Sequence, residues 1–218
     1  MKGVFFAWLL FFLTPLNGGC QPGEDPYKGL NDNHMIQVLK DFPRKANRWN
    51  VPAEDGRLLY DLILEHGYKR VLEVGTSNGY SALWMGFALK KTGGRLITIE
   101  INEQRAEEAR RNIAQAGLSD VIEVRLNDAL DEISQLDGSL GMVFLDADKS
   151  QYINYYRMLD PMISRGGMVT AHNVSTMEYA MRDFLDAIRD NPAYRTEVRR
   201  ASSQGVLVAV KKANREVQ

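Results

Sequence analysis

The chain has 218 residues, 27 lysines plus arginines against 28 aspartates plus glutamates, and a formal net charge of -1. That length suits one domain with or without a tail, and at 44% hydrophobic residues it can bury a core without staples. The charge balance argues against a dedicated nucleic-acid binder, and the single cysteine excludes an intrachain disulfide and a cysteine-rich zinc site. The histidines, His34, His66 and His172, are too scattered for a histidine-cluster metal site.

Met1 and Lys2 precede an unbroken apolar run over residues 4–13. The run is too short for a membrane span, which needs roughly 20 residues. It has no polar face, so it is not an amphipathic helix. Its length and flanks predict a secretory signal. Cys20 follows Gly18 and Gly19, as in a bacterial lipoprotein signal, where such a cysteine becomes the lipidated first residue. The resemblance departs at Asn17, where a branched apolar residue belongs; Leu16 stands one step early. The expectation is a signal over 1–20 and a protein exported and membrane-anchored or periplasmic, with a cytoplasmic protein as the alternative. Any membrane contact would run through this lipid anchor alone. Residues 21–33, with Pro22, Gly23, Pro26 and Gly29, read as a flexible tether, and residues 34–218 as the folded domain.

Met35, Val38, Leu39 and Phe42 recur at helical spacing until Pro43 stops them. Pro52, Glu54 and Asp55 open a second helix, where early acids suit the dipole, and Gly67 follows its end. From there the pattern alternates. Strands are predicted at 70–74, 95–100, 121–126, 141–145, 167–171, 195–199 and 206–210. Helices are predicted at 80–90, from an Asn102 cap to Ala116, and at 176–189. Strands alternating with helices indicate an α/β fold with a doubly wound, mostly parallel sheet. Such sheets bind ligands beyond the carboxyl ends of their strands.

Those ends carry polar residues. After the first strand, Glu73, Gly75 and Gly79 form a Glu-x-Gly-x-x-x-Gly turn whose glycines allow close backbone approach. A dinucleotide-binding turn would want glycine at 77 and a small residue at 80; this chain has Ser77 and Tyr80. Glu100 ends the second strand, where an acid can accept from both ribose hydroxyls. Asp128 and Ala129 follow the third strand, on the side of an adenine, though Asp128 could equally cap a short helix. Asp146, Asp148 and Lys149 follow the fourth strand, and His172 and Asn173 end the fifth. Acids and a lysine directly after a buried strand are costly unless partnered. Asp146, His172 and Asn173 could supply oxygen and nitrogen ligands to one divalent ion, with Lys149 beside it. An Asp–Lys pair and a helix-capping Asn173 explain the same residues without a metal.

Over residues 49–173 the chain resembles the cation-dependent class I methyltransferases of the catechol and caffeoyl-CoA O-methyltransferase type. The resemblance is carried by "WNVPAEDG" (49–56), "VLEVGTSNGYSALWM" (71–85), "LITIEIN" (96–102), "VFLDADKSQY" (143–152) and "GGMVTAHNV" (166–174), in family order and spacing. It implies S-adenosylmethionine as cofactor and a seven-stranded sheet with its last strand antiparallel. It implies methyl transfer to a hydroxyl of a small, catechol-like acceptor. Val51, Glu73, Gly75, Ser77, Gly79, Ser81, Glu100, Ile101, Asp128, Ala129 and Asp146 match cofactor-binding positions. Asp146, His172 and Asn173 match the metal ligands, and Lys149 the general base, with Asp146 as its catalytic companion. Where the best-known members have an aspartate, this chain has His172. That leaves one carboxylate in the ligand set and leans it from magnesium toward manganese, zinc or iron, or toward no metal, with Asp148 as a compensating acid.

Two other readings stand beside this one: an exported lipoprotein that keeps the fold without catalysis, and a nicotinamide-dependent oxidoreductase, against which Ser77 and Tyr80 count. Acceptor choice should reside in residues 44–49, 175–179 and 201–205, with Trp49 either an aromatic wall or core. Family members are monomers or homodimers.

Overall fold

The structure is a computed structural model and describes residues 23–42 and 50–213. The expected signal, Cys20, and the basic, aromatic link with Arg44, Lys45, Arg48 and Trp49 lie outside the described residues.

A seven-stranded sheet has the order β3-β2-β1-β4-β5-β7-β6. Its strands are β1 (Arg70–Val74), β2 (Arg95–Glu100), β3 (Ile122–Leu126), β4 (Leu140–Leu145), β5 (Ile163–His172), β6 (Tyr194–Arg199) and β7 (Val206–Lys211). β1 to β5 run parallel; β7 pairs antiparallel with both β5 and β6. This is the fold the sequence predicts, with the antiparallel last strand included. The sheet's helices are α1 (Asn33–Asp41), α2 (Ala53–His66), α3 (Tyr80–Thr92), α4 (Glu103–Gln115), α5 (Ala129–Ser134), α6 (Tyr152–Leu159) and α7 (Arg182–Asp190).

Alternation along the strands builds two cores. Val71, Leu96, Met142, Phe144, Met168, Val206 and Val208 face α1 to α4, while Leu72, Val74, Val143, Leu145, Val169 and Leu207 face α6 and α7. α2 and α3 approach closely because position 56 is glycine: any Cβ there would run into the Trp84 indole.

Three expectations need correction. The helix predicted over 176–189 is a turn, a short 3₁₀ segment Glu178–Met181 and then α7. The Thr176 and Met177 amides bond back to the Asn173 carbonyl, which holds the early part in a loop. α6 was not predicted, although Tyr152, Tyr156 and Leu159 are buried at helical spacing. The described part of the expected tether is docked. Arg57 donates to the carbonyls of Pro26 and Lys28 at 2.9 and 2.8 Å, and Tyr27 stacks on Trp84 with ring centroids 5.7 Å apart.

The order of strands reverses direction between β1 and β4. Chain segments leave these two strands toward opposite sides and open a crevice at their carboxyl ends. The residues singled out in the sequence converge there.

Candidate active site

The turn after β1 is held by the neighbouring strand. The amides of Gly75 and Thr76 both donate to the Ile99 carbonyl, at 3.0 and 3.1 Å, and the Asp146 amide donates to the Val74 carbonyl at 2.9 Å. Gly75 has φ +103°, and a Cβ there would collide with the Asp146 carbonyl oxygen. The glycine therefore lets the β1 turn lie directly against the end of β4. Ser77 also adopts a left-handed φ of 51°, and its amide donates to Glu100 Oε2 at 2.8 Å. Glu100 Oε1 accepts from the Asn102 amide at 3.0 Å. The acid at the end of β2 is thus fixed by two backbone donors. Ile101 beside it is 69% exposed, an apolar side chain left open at the crevice.

Glu73 is fully buried below the turn. Ser81 of α3 donates to one of its oxygens and Thr98 to the other at 2.5 Å, while Thr76 and Thr98 share a bond of 2.6 Å. Burial pushes the Glu73 carboxyl up to about 8, opposed by the two hydroxyls and reinforced by the nearby Asp146 and Glu100. Thr98 is a member of this site that the sequence reading missed; the signal was a polar residue in the otherwise apolar stretch of β2.

Val51 is buried in the loop before α2. Gly79 caps α3 in a left-handed conformation. Asp128 accepts from the Leu130 amide at 2.8 Å as the cap of α5, with Ala129 the first helical residue. The capping alternative for Asp128 is therefore realised.

The ends of β4 and β5 are adjacent, as expected. Lys149 Nζ donates to Asp146 Oδ1 at 2.7 Å and to the Tyr152 hydroxyl at 2.8 Å; that hydroxyl donates in turn to the Leu145 carbonyl at 2.8 Å. His172, 2% exposed, has Nδ1 3.3 Å from Asp146 Oδ1 and Nε2 2.9 Å from Asp55 Oδ2. Asp55, wholly buried in the first turn of α2, also accepts from the Ser202 amide at 3.1 Å and hydroxyl at 2.6 Å. Asn173 takes φ 63° and donates through Nδ2 to Gln204 Oε1 at 2.7 Å. Burial alone would lower His172, but Asp146 and Asp55 push it up to about 9. Burial alone would raise Asp146, yet His172 and Lys149 hold its carboxyl below the usual range.

Asp146, His172 and Asn173, the predicted metal set, are brought together, with His172 Nδ1 3.3 Å from Asp146 Oδ1. A ligating histidine offers one bare ring nitrogen and commonly donates from the other to a carboxylate; in His172 it is Nε2 that bonds to Asp55 and Nδ1 that faces Asp146. Among the described residues no group of three or more His, Cys, Asp or Glu could hold a metal ion, and the predicted set reaches three only with the amide of Asn173. Asp148 does not compensate: it accepts from the Ser150 amide and hydroxyl at 3.0 and 2.8 Å as the cap of a short 3₁₀ turn. Asp55, Ser202 and Tyr152 were missed. Asp55 had a sufficient explanation in the helix dipole, and nothing local in the sequence ties it to residue 172.

A family model described as O-methyltransferase matches residues 30–183. A catechol O-methyltransferase of Niastella koreensis is 37% identical over 57% of this chain and 58% of its own length. A catechol O-methyltransferase of Mycobacterium tuberculosis is 35% identical over 70% of this chain and 66% of its own. The chain thus spans less than two thirds of these curated relatives. Among solved structures, an O-methyltransferase from Bacillus cereus in complex with SAH matches with a TM-score of 0.73 and 28% identity, covering 85% of this chain and 93% of that one. The family match takes in the glycine turn, both acid-bearing strand ends and the Asp146–Lys149–His172 cluster, and by it the chain belongs to the O-methyltransferase family.

Proposed function

We propose that this chain transfers a methyl group from S-adenosylmethionine to a hydroxyl of a small, catechol-like acceptor. The observation that carries this reading is the shared wall between Gly75 and Asp146. It sets a cradle for the cofactor directly beside the Lys149–Asp146 pair. The groups present suit an adenosyl amino acid: Glu100 has carboxylate lone pairs to spare for ribose hydroxyls, Ile101 offers an apolar face, and buried Glu73 can meet an ammonium. The bound cofactor supplies a sulfonium methyl as electrophile.

The chain's own work is positioning and proton handling. Lys149 Nζ donates to a carboxylate and a phenol; as the neutral amine it spends both hydrogens there and keeps one lone pair, so a hydroxyl entering beside it meets a fixed nitrogen that takes its proton and becomes the ammonium. The resemblance of this segment to the family, with catechol and caffeoyl-CoA O-methyltransferases among the relatives, supports a planar phenolic acceptor.

The test is mass-spectrometric detection of methyl transfer from S-adenosylmethionine to a panel of catechols and hydroxycinnamoyl thioesters. A product one methyl heavier is expected. Tight S-adenosylhomocysteine binding with no methylated hydroxyl across the panel would refute the reading.

We also propose that residues 1–20 export the protein and that Cys20 is lipidated, on the apolar run and the Gly-Gly-Cys sequence. The protein would then be membrane-anchored or periplasmic. Cys20→Ser should release it from the membrane fraction; equal partitioning of the variant and the parent would count against lipidation.

A further inference from the structure

On the methyltransferase reading above, we propose that the segment ahead of α1 belongs to the cofactor site at one remove: Tyr27, seated on Trp84, holds the first turn of α3 and, through it, the glycine turn that receives S-adenosylmethionine. The first support is how the segment is held. Residues 23–32 form neither helix nor strand. Fixing such backbone costs roughly 1–2 kcal/mol of entropy per residue, so its order needs a cause. Arg57 of α2 supplies one. Its guanidinium donates to the carbonyls on either side of Tyr27, those of Pro26 at 2.9 Å and Lys28 at 2.8 Å. It is aimed by Asp61, which accepts from Nε at 2.8 Å.

The second support is where Tyr27 lands. Its ring stacks on Trp84 at an interplanar angle of 25°, and Lys40 of α1 lies 5.0 Å over the same ring. Its hydroxyl stands 3.5 Å from that of Tyr80. Tyr80 is buried, opens α3 directly after Gly79 and meets Trp84 edge to face, with ring centroids 6.5 Å apart. Phe42, at the far end of α1, lies against Tyr80 at 5.0 Å. Side chains from both sides of α1 therefore close over the residue at which turn becomes helix.

The third support is what the turn requires. Gly75, Ser77 and Gly79 all have positive φ, and for Ser77 that conformation is strained. Such a turn keeps its shape only while both its ends are fixed. The Ile99 carbonyl fixes the strand end. At the helix end Tyr80 and Trp84 do so, and Tyr27 rests on both. Ser81, next to Tyr80, donates to Glu73, the carboxyl proposed to meet the cofactor's ammonium. Tyr27 and Arg57 are on this account positioning residues, acting through the start of α3.

The experiment uses the purified full chain. Calorimetry gives the affinity for S-adenosylhomocysteine, steady-state kinetics on a methylated catechol separates kcat from KM, and hydrogen exchange read by mass spectrometry follows residues 75–83. Tyr27→Ala should weaken S-adenosylhomocysteine at least ~10-fold and raise KM for S-adenosylmethionine in proportion, with kcat and the KM for the catechol unchanged. Tyr27→Phe keeps the ring and should stay within ~3-fold of the parent. Arg57→Gln frees the segment without touching the stack on Trp84 and should repeat the Tyr27→Ala pattern. In both releasing variants residues 75–83 should exchange faster while β4 keeps the parent rate.

The proposal is overturned if the variants exchange faster over residues 23–30 and still bind S-adenosylhomocysteine as the parent does. It is also overturned if kcat falls as far as kcat/KM, or if β4 loosens together with the turn, since the segment would then support the whole fold. Should Tyr27→Ala fail to fold, Arg57→Gln decides by the same criteria. A parent that binds S-adenosylhomocysteine and methylates nothing would sink the methyltransferase reading, while affinity and exchange would still decide the role of Tyr27.

Discussion

The two sides of the crevice are put together by different means. At the ends of β1 and β2, the groups are fixed by backbone donors from the same turn or the adjacent strand: Gly75 and Thr76 on Ile99, Ser77 and Asn102 on Glu100. At the ends of β4 and β5 they are fixed by side chains from far along the chain. Asp55 reaches His172 across 117 positions and Ser202 reaches Asp55 across 147. The first side depends on glycines and main-chain geometry, so most of its side chains are free to serve a ligand. The second is a network in which each buried charge is partnered by another and by neutral donors or acceptors around it.

Breaking the network should therefore have the largest effect, and on stability. Asp55→Ala leaves His172 buried beside a cavity and removes both Ser202 bonds. Loss of one member of a buried pair costs about 3–5 kcal/mol, read as a lower urea midpoint at unchanged slope. An unaltered midpoint would mean the network carries no such load.

Next comes Lys149→Ala, which touches the charged side only. The single-turnover rate should fall at least ~100-fold with S-adenosylhomocysteine affinity unchanged. Equal losses in both would erase the distinction between the two sides. Gly75→Ala attacks the shared wall. A non-glycine residue at φ +103°, with its Cβ against the Asp146 carbonyl, stores strain of order 1–3 kcal/mol. Calorimetry should show cofactor affinity reduced roughly 10-fold or more.

The same contrast explains what the sequence disclosed. The glycine turn, Glu100 and the acid-rich end of β4 are local patterns, and each stands where a strand's apolar run stops. The sheet was legible for the same reason, since short apolar runs at strand spacing recur from Arg70 to the end of β7, the first of them separated by helical stretches. The Asp55–His172 pair was not legible: a first-turn acid in a helix is already explained by the dipole, and no periodicity links it to a strand end so far away. Gln204 and Ser202 sit in a loop without pattern, and their partners are known only once β7 is laid beside β5. α6 was lost because its aromatic residues have low helix propensity and gain their burial from Phe184 of α7, 5.6 Å from Tyr152 and 5.7 Å from Tyr156 between ring centroids.

The smallest expected effect lies on the backbone-built side and comes through the wholly buried carboxyl of Glu73. With its carboxyl pushed up to about 8 from an ordinary 4.5, Glu73 holds a proton at neutral pH in the free protein. On the proposed function a cofactor ammonium would be met by the carboxylate, and binding would release that proton. Affinity for S-adenosylhomocysteine should then rise with pH up to about 8 and level off above it, by less than tenfold per pH unit. Asp146 and Glu100 face the same carboxyl and both favour its protonated form, while Ser81 and Thr98 favour the charged one. The stability of the free protein runs the other way. Between 4.5 and about 8 the folded chain binds more protons at Glu73 than the unfolded chain, so this group's contribution declines as pH rises through that window. Calorimetric titration in two buffers of different ionisation enthalpy reports the released proton directly. Glu73→Gln should abolish both the release and the pH dependence of affinity; a slope that survives the substitution would assign the proton to another group.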